Sequence, residues 1–179
     1  MMDQSRKMIL NLTAAAVLAI TFTGCGNEER KTFYEDGKIK AIIHVDSEKK
    51  LQDSFKRFSK SGELVQDLIY EDGNVVSGFV IKDLKVRYNN HSFIKKVKEI
   101  YEDGKVVKKD CINKDELDNF YLTEVKRYAG EFNSIEKPSE AVQLAAVETR
   151  CTNKLFLYNN IKNPTPKVIA LAKRNGCTY

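Results

Sequence analysis

The chain is 179 residues long, 42% hydrophobic and 31% charged, with 30 Lys and Arg against 25 Asp and Glu for a net charge of +5. That length suits one ordinary domain or two small ones. The basic excess is too mild to argue a nucleic-acid binder, and the sequence holds no phosphate-binding glycine loop, dinucleotide fingerprint, nucleophile elbow or HExxH zinc motif.

At the N-terminus, Arg6 and Lys7 precede an apolar stretch from Met8 to Phe22, closed by the small residues Thr23 and Gly24 before Cys25. A membrane span needs roughly 20 apolar residues, so this shorter run reads as a processed signal. Thr23-Gly24-Cys25 resembles the lipobox of bacterial lipoproteins, with Phe22 where the pattern prefers Leu. The resemblance implies that residues 1–24 are removed. It also implies that Cys25 receives a thioether-linked diacylglycerol and an N-acyl chain such as palmitate. Three acyl chains exceed the two-signal threshold for stable attachment. Gly26 stands where an inner-membrane retention signal would place Asp, which favours the outer membrane in a host that has two. Residues 25–31 are expected to be a tether.

Loss of residues 1–24 leaves 155 residues. Cys111, Cys151 and Cys177 then remain, an odd number in a compartment where disulfides persist, so at most one bridge forms within the chain. Ordinary burial of small apolar thiols is the alternative.

Residues 32–112 carry an internal repeat. Tyr34-Glu35-Asp36-Gly37-Lys38, Tyr70-Glu71-Asp72-Gly73-Asn74 and Tyr101-Glu102-Asp103-Gly104-Lys105 are nearly one word, with a weaker copy at Phe58-Ser59-Lys60-Ser61-Gly62-Glu63. Gly37, Gly62, Gly73 and Gly104 mark turns, because the tight turns between strands need positive φ. Their flanks alternate at period two, as in Ile39, Ala41, Ile43 and Val45. With further turns near Ser47-Glu48, Lys82-Asp83 and Asn89-Asn90, the spacing predicts a meandering antiparallel sheet. These words resemble the MORN-type repeats of bacterial secreted and envelope proteins, a group that includes antitoxin components. That resemblance implies an open, one-layer sheet of hairpins and no single activity. The Glu-Asp pairs could hold a cation, but Asp before Gly is what a turn requires. Tyr34, Tyr70 and Tyr101 are expected to pack as a half-buried ladder, and the lysines between Lys85 and Lys109 to guard sheet edges.

Over residues 113–179 the period becomes helical. Leu117, Tyr121, Val125, Tyr128 and Phe132 form one stripe, predicting a helix over about 114–132. A second repeat follows at a spacing of 26 residues: Ile135-Glu136-Lys137-Pro138-Ser139-Glu140-Ala141-Val142 aligns with Ile161-Lys162-Asn163-Pro164-Thr165-Pro166-Lys167-Val168. Ser139 and Thr165 are predicted N-caps, and Asn175-Gly176 a left-handed stop. A short helix is expected over 153–160. The segment from Lys137 to Val147 resembles a bacterial helical repeat of unknown function, which implies stacked helix pairs. Cys151 and Cys177 fall at equivalent places, and packed helices about 8–10 Å apart exceed the reach of a disulfide. Cys111 could pair with either.

The expected fold is therefore α+β: an antiparallel β-meander of MORN-type hairpins, then a small bundle or solenoid of short helices. The expected function is a membrane-anchored, non-enzymatic lipoprotein of the cell envelope that binds a protein or envelope polymer, without catalytic, cofactor or metal residues. The alternatives are an antitoxin-like protein that neutralises a partner toxin and, more weakly, an envelope hydrolase using His44 or His91.

Overall fold

The computed structural model describes residues 28–88, 90–150 and 161–177. Seven strands come first: β1 (Glu28–Phe33), β2 (Ile39–Val45), β3 (Leu51–Phe58), β4 (Leu64–Glu71), β5 (Asn74–Tyr88), β6 (His91–Glu102) and β7 (Lys105–Cys111). They form one antiparallel sheet in sequential order, the simplest meander. Helix α1 (Lys114–Arg127), a 3₁₀ segment (Ala129–Ser134), α2 (Glu140–Arg150) and α3 (Pro166–Arg174) follow. The α+β class is thus as expected. Two details differ. The first strand opens at Glu28, inside the stretch expected to be a tether, and β5 runs unbroken through Lys82-Asp83, where a turn was expected. Both residues are exposed, and a strand with a solvated face accepts such polar pairs without breaking.

The chain divides into two compact units, residues 28–80 with 100–107 and residues 81–99 with 108–177 among those described, so the division runs within β5, β6 and β7 rather than near residue 112. In the first unit the buried apolar side chains are Val45, Leu68 and Val80. Turn chemistry therefore carries much of its specification. At Gly37 and Gly62 a three-residue loop closes with paired bonds: Tyr34 N–H to Lys38 O and Gly37 N–H to Tyr34 O, and likewise Ser59 to Glu63 and Gly62 to Ser59. Asp46 to Lys50 repeats the pattern, with Lys49 in the left-handed position. Gly73 and Gly104 instead follow left-handed Asp72 and Asp103, both at φ +48°, in two-residue primed turns.

Gly78 answers a different need. It lies inside β5 opposite Leu68, at φ +122°, and a Cβ there would fall 2.1 Å from the Asp67 carbonyl oxygen. Only glycine lets the two backbones approach so closely.

In the second unit, Tyr88 is fully buried; its ring meets Tyr121 edge-on at 6.2 Å, while Phe93 stacks on Phe120 at 5.4 Å. Asn113 fastens the start of α1 to β6, accepting from Lys96 N–H at 2.8 Å and donating to Ile94 O at 3.0 Å. Acidic Asp115 and Glu116 open α1 and basic Lys126 and Arg127 close it, matching the helix dipole. The helix stops short of residue 132 because Tyr128 adopts an extended backbone, φ −160°, and its carbonyl accepts from the Tyr88 hydroxyl. Leu117, Val125 and Phe132 of the predicted stripe are nevertheless buried, and Tyr128 is the member left exposed.

The 26-residue repeat is reproduced position by position. Ile135 and Ile161 are buried, Lys137 and Asn163 take φ +56° and +55°, and Val142 and Val168 are fully buried. The Thr165 hydroxyl accepts from Val168 N–H, and α3 ends in a Schellman motif, with Gly176 N–H to Lys173 O and Cys177 N–H to Ala172 O.

Candidate binding site in the helical repeat

Of the residues singled out from sequence, Cys25 and Cys151 lie outside the described residues, as does the helix expected over 153–160. The four glycines sit at turns with φ between +71° and +89°. Tyr34 donates its hydroxyl to Phe58 O at 2.7 Å, and the Tyr70 ring meets Phe55 at 6.5 Å. Burial, and then the neighbouring Tyr101, push the Tyr70 hydroxyl above its usual pKa. The turn carboxylates hold their own loops: Asp36 Oδ1 accepts from Lys38 N–H at 3.2 Å, and that bond lowers its pKa. Among the described residues, no three His, Cys, Asp or Glu side chains are placed to hold a metal ion. No described helix is long and apolar enough to cross a membrane.

The cysteines need a correction. Cys111 is a free thiol, 3.8 Å from Asn113 Oδ1, so it pairs with neither Cys151 nor Cys177. Cys177 is disulfide-bonded, and its partner is outside the described residues.

Two histidine constellations bear on catalysis. His44 Nδ1 lies 3.2 Å from Ser54 Oγ, and His44 Nε2 lies 3.5 Å from Glu29 Oε2, a Ser-His-Glu row across three adjacent strands. The same Nδ1 is 3.1 Å from Ser54 O. The three side chains thus tie β1, β2 and β3 together, with the backbone carbonyl and the hydroxyl of Ser54 sharing one ring nitrogen. His91 Nδ1 pairs at 2.6 Å with Glu124 Oε2, a buried carboxylate that also meets Arg127 Nη1 at 3.3 Å. Beside His91, a small hollow of ≈ 270 Å³ is lined by Lys85 and Arg87. On the sheet, buried Glu99 is bracketed by Lys82 at 2.6 Å and Lys109 at 2.8 Å. Lys109 thereby serves a charge row, a use beyond the edge protection expected of the lysines between Lys85 and Lys109.

A larger hollow, ≈ 820 Å³, lies where the two copies of the helical repeat meet. Its lining joins Ile135, Lys137 and Pro138 of the first copy to Lys162 and Asn163 of the second. Glu140 holds the copies side by side. Its carboxylate accepts from the Thr165 hydroxyl and pairs with Lys167 Nζ at 3.1 Å, and these contacts, the Thr165 bond foremost, lower its pKa. Gln143 also lines the hollow and is nearly fully buried; its Nε2 donates to Pro138 O at 3.1 Å, while no protein donor reaches its Oε1. Sequence reasoning passed over Gln143. The signal was in the repeat, where Gln143 breaks an apolar position that Ile169 occupies in the second copy.

Compared with known proteins, the chain matches no family model, no curated protein and no solved structure.

Proposed function

We propose that this chain is a lipid-tethered, non-enzymatic scaffold of the bacterial cell envelope, attached through Cys25, that binds a partner through its helical repeat. The hollow between the two repeat copies carries the reading: it has the size of a ligand pocket, and its lining combines the apolar Phe132, Ile135 and Pro138 with a larger set of polar and charged side chains. The disulfide at Cys177 supports the address, because such bonds persist in oxidising compartments. The lipobox-like Thr23-Gly24-Cys25 supports the anchor. Membrane fractionation of cells making the full chain or Cys25→Ser tests the tether. The wild type is expected in the membrane pellet and the variant in the soluble fraction; equal partition of the two contradicts it.

A further inference from the structure

We infer that the hollow at the β5–β6 turn is a phosphate site, in which Lys85, Arg87 and His91 hold the terminal oxygens of a phosphate monoester. The hollow measures ≈ 270 Å³ and is lined by Lys85, Arg87, Asn90, His91 and Ser92. All five side chains can donate a hydrogen bond, and neither a carboxylate nor an aliphatic residue is among them. Each of the five residues is exposed, so a ligand in solution or at a membrane surface can reach them. Such a lining repels cations and selects an anion. Five donor side chains outnumber the two oxygens of a carboxylate and suit the three acceptor oxygens of a phosphate monoester.

The two strand cations lack counter-charges. Elsewhere on the sheet Lys82 and Lys109 pair with Glu99, and Lys108 with Asp110, whereas among the described residues no carboxylate pairs with Lys85 or Arg87. Asp83, two residues before Lys85 on β5, is not part of the lining. Lys85 and Arg87 share one face of the strand with their backbones roughly 7 Å apart, close enough for one phosphate to bridge their charges and relieve the repulsion between them. Arg87 supplies a planar fork that meets two phosphate oxygens at once, and Lys85 a point charge. His91 is set from behind. Its Nδ1 lies 2.6 Å from Glu124 Oε2, while Arg127 Nη1 meets the other oxygen of that carboxylate at 3.3 Å. The Glu124 side chain is only 5% exposed, so the contact ties the start of β6 to α1 and holds the imidazole in place before a ligand arrives. A carboxylate only accepts, so Nδ1 carries a proton there and Nε2 is the nitrogen left for a ligand.

The site depends neither on the tether nor on the hollow in the helical repeat, and NMR titration of the full chain in neutral bicelles tests it. The probes are glycerol 3-phosphate and acetate, both at millimolar concentration and matched ionic strength, and bicelles doped with phosphatidic acid. Expected are saturable shifts of the Arg87 side-chain Nε–H and the Ser92 backbone N–H with one or both phosphates, the stronger response telling a soluble ester from a lipid headgroup. Acetate is expected to bind about tenfold more weakly, because it cannot engage all the donors. Arg87→Gln is expected to weaken phosphate binding by about tenfold, and Arg87→Lys, which keeps the charge without the fork, by an intermediate factor. Both variants should keep the wild-type melting temperature, since Arg87 is exposed and has no ion pair among the described residues. No shift with either phosphate, an acetate response equal to that of glycerol 3-phosphate, or undiminished binding by Arg87→Gln would each overturn the inference. The acetate comparison uses the wild-type protein and decides even if a variant fails to fold.

Discussion

Lys137 and Asn163, 26 residues apart, adopt the same left-handed backbone, at φ +56° and +55°, each directly before a proline and a capping hydroxyl residue. The chain reverses there between a buried isoleucine, Ile135 or Ile161, and the first turn of α2 or α3. A non-glycine residue in that region costs about 1–2 kcal/mol, least for Asn. Lys137→Asn is therefore expected to stabilise the protein by a few tenths of a kcal/mol, and Asn163→Val to destabilise it by about 1 kcal/mol or more. Urea unfolding midpoints read both, and an unchanged midpoint for Asn163→Val contradicts the shared conformation.

The words at Tyr34–Lys38 and Tyr101–Lys105 are identical in sequence but not in fold. In the first, Gly37 closes a three-residue loop between β1 and β2; in the second, Asp103 and Gly104 are both left-handed in a two-residue loop between β6 and β7. Asp36 has its exposed contacts with Lys38 to lose, the backbone N–H at 3.2 Å and the ammonium at 3.2 Å, whereas a β-branched residue at position 103 meets the left-handed penalty as well. Asp103→Val is expected to cost about 1 kcal/mol more than Asp36→Val. Equal losses in thermal unfolding would mean that the two turns are alike.

Gly78→Ala is expected to be the most damaging single methyl addition in the sheet, at about 3 kcal/mol or more, because the new Cβ meets the Asp67 carbonyl and φ +122° is closed to alanine. Gly37→Ala, with open space around its Cβ, carries only the left-handed penalty of about 1–2 kcal/mol. Equilibrium unfolding of the two variants ranks them, and the reverse order would contradict the close approach at Gly78.

Glu140 gives a pH dependence with a definite sign. Its folded-state pKa lies below the ordinary value, foremost through the Thr165 hydroxyl and next through Lys167. The contacts therefore stabilise the native protein above the ordinary carboxylate value, and that contribution fades as pH falls through the lowered folded value. Lys167→Ala and Thr165→Val should each move the Glu140 midpoint upward, with the larger shift from Thr165→Val. A carbon-detected NMR titration reads this directly, and an unmoved midpoint in both variants contradicts the link between the repeat copies.

Local chemistry explains what was legible in the sequence. Period-two alternation and Asp-Gly words announced the meander, and the aligned caps announced α2 and α3, because strands, turns and helix starts are specified within a few residues. Features set by distant partners were not legible. The end of α1 depends on Tyr88, 40 residues away from Tyr128. The uninterrupted β5 overrides the turn composition of Lys82-Asp83 through sheet pairing. Cys111 looked as able to pair as Cys177, since spacing alone says nothing about which thiols meet. Gln143 reads in one dimension as an ordinary helix residue, and nothing in its spacing says that its side-chain oxygen is buried without a donor.

The anchor at Cys25 is tested most directly by mass spectrometry of the N-terminal tryptic peptide of the protein recovered from bacterial membranes. The account predicts a peptide that begins at Cys25, ends at Arg30, and carries a diacylglycerol on the thiol and a fatty acyl chain on the amine. An unmodified Cys25, or a mature chain that still begins at Met1, would contradict it.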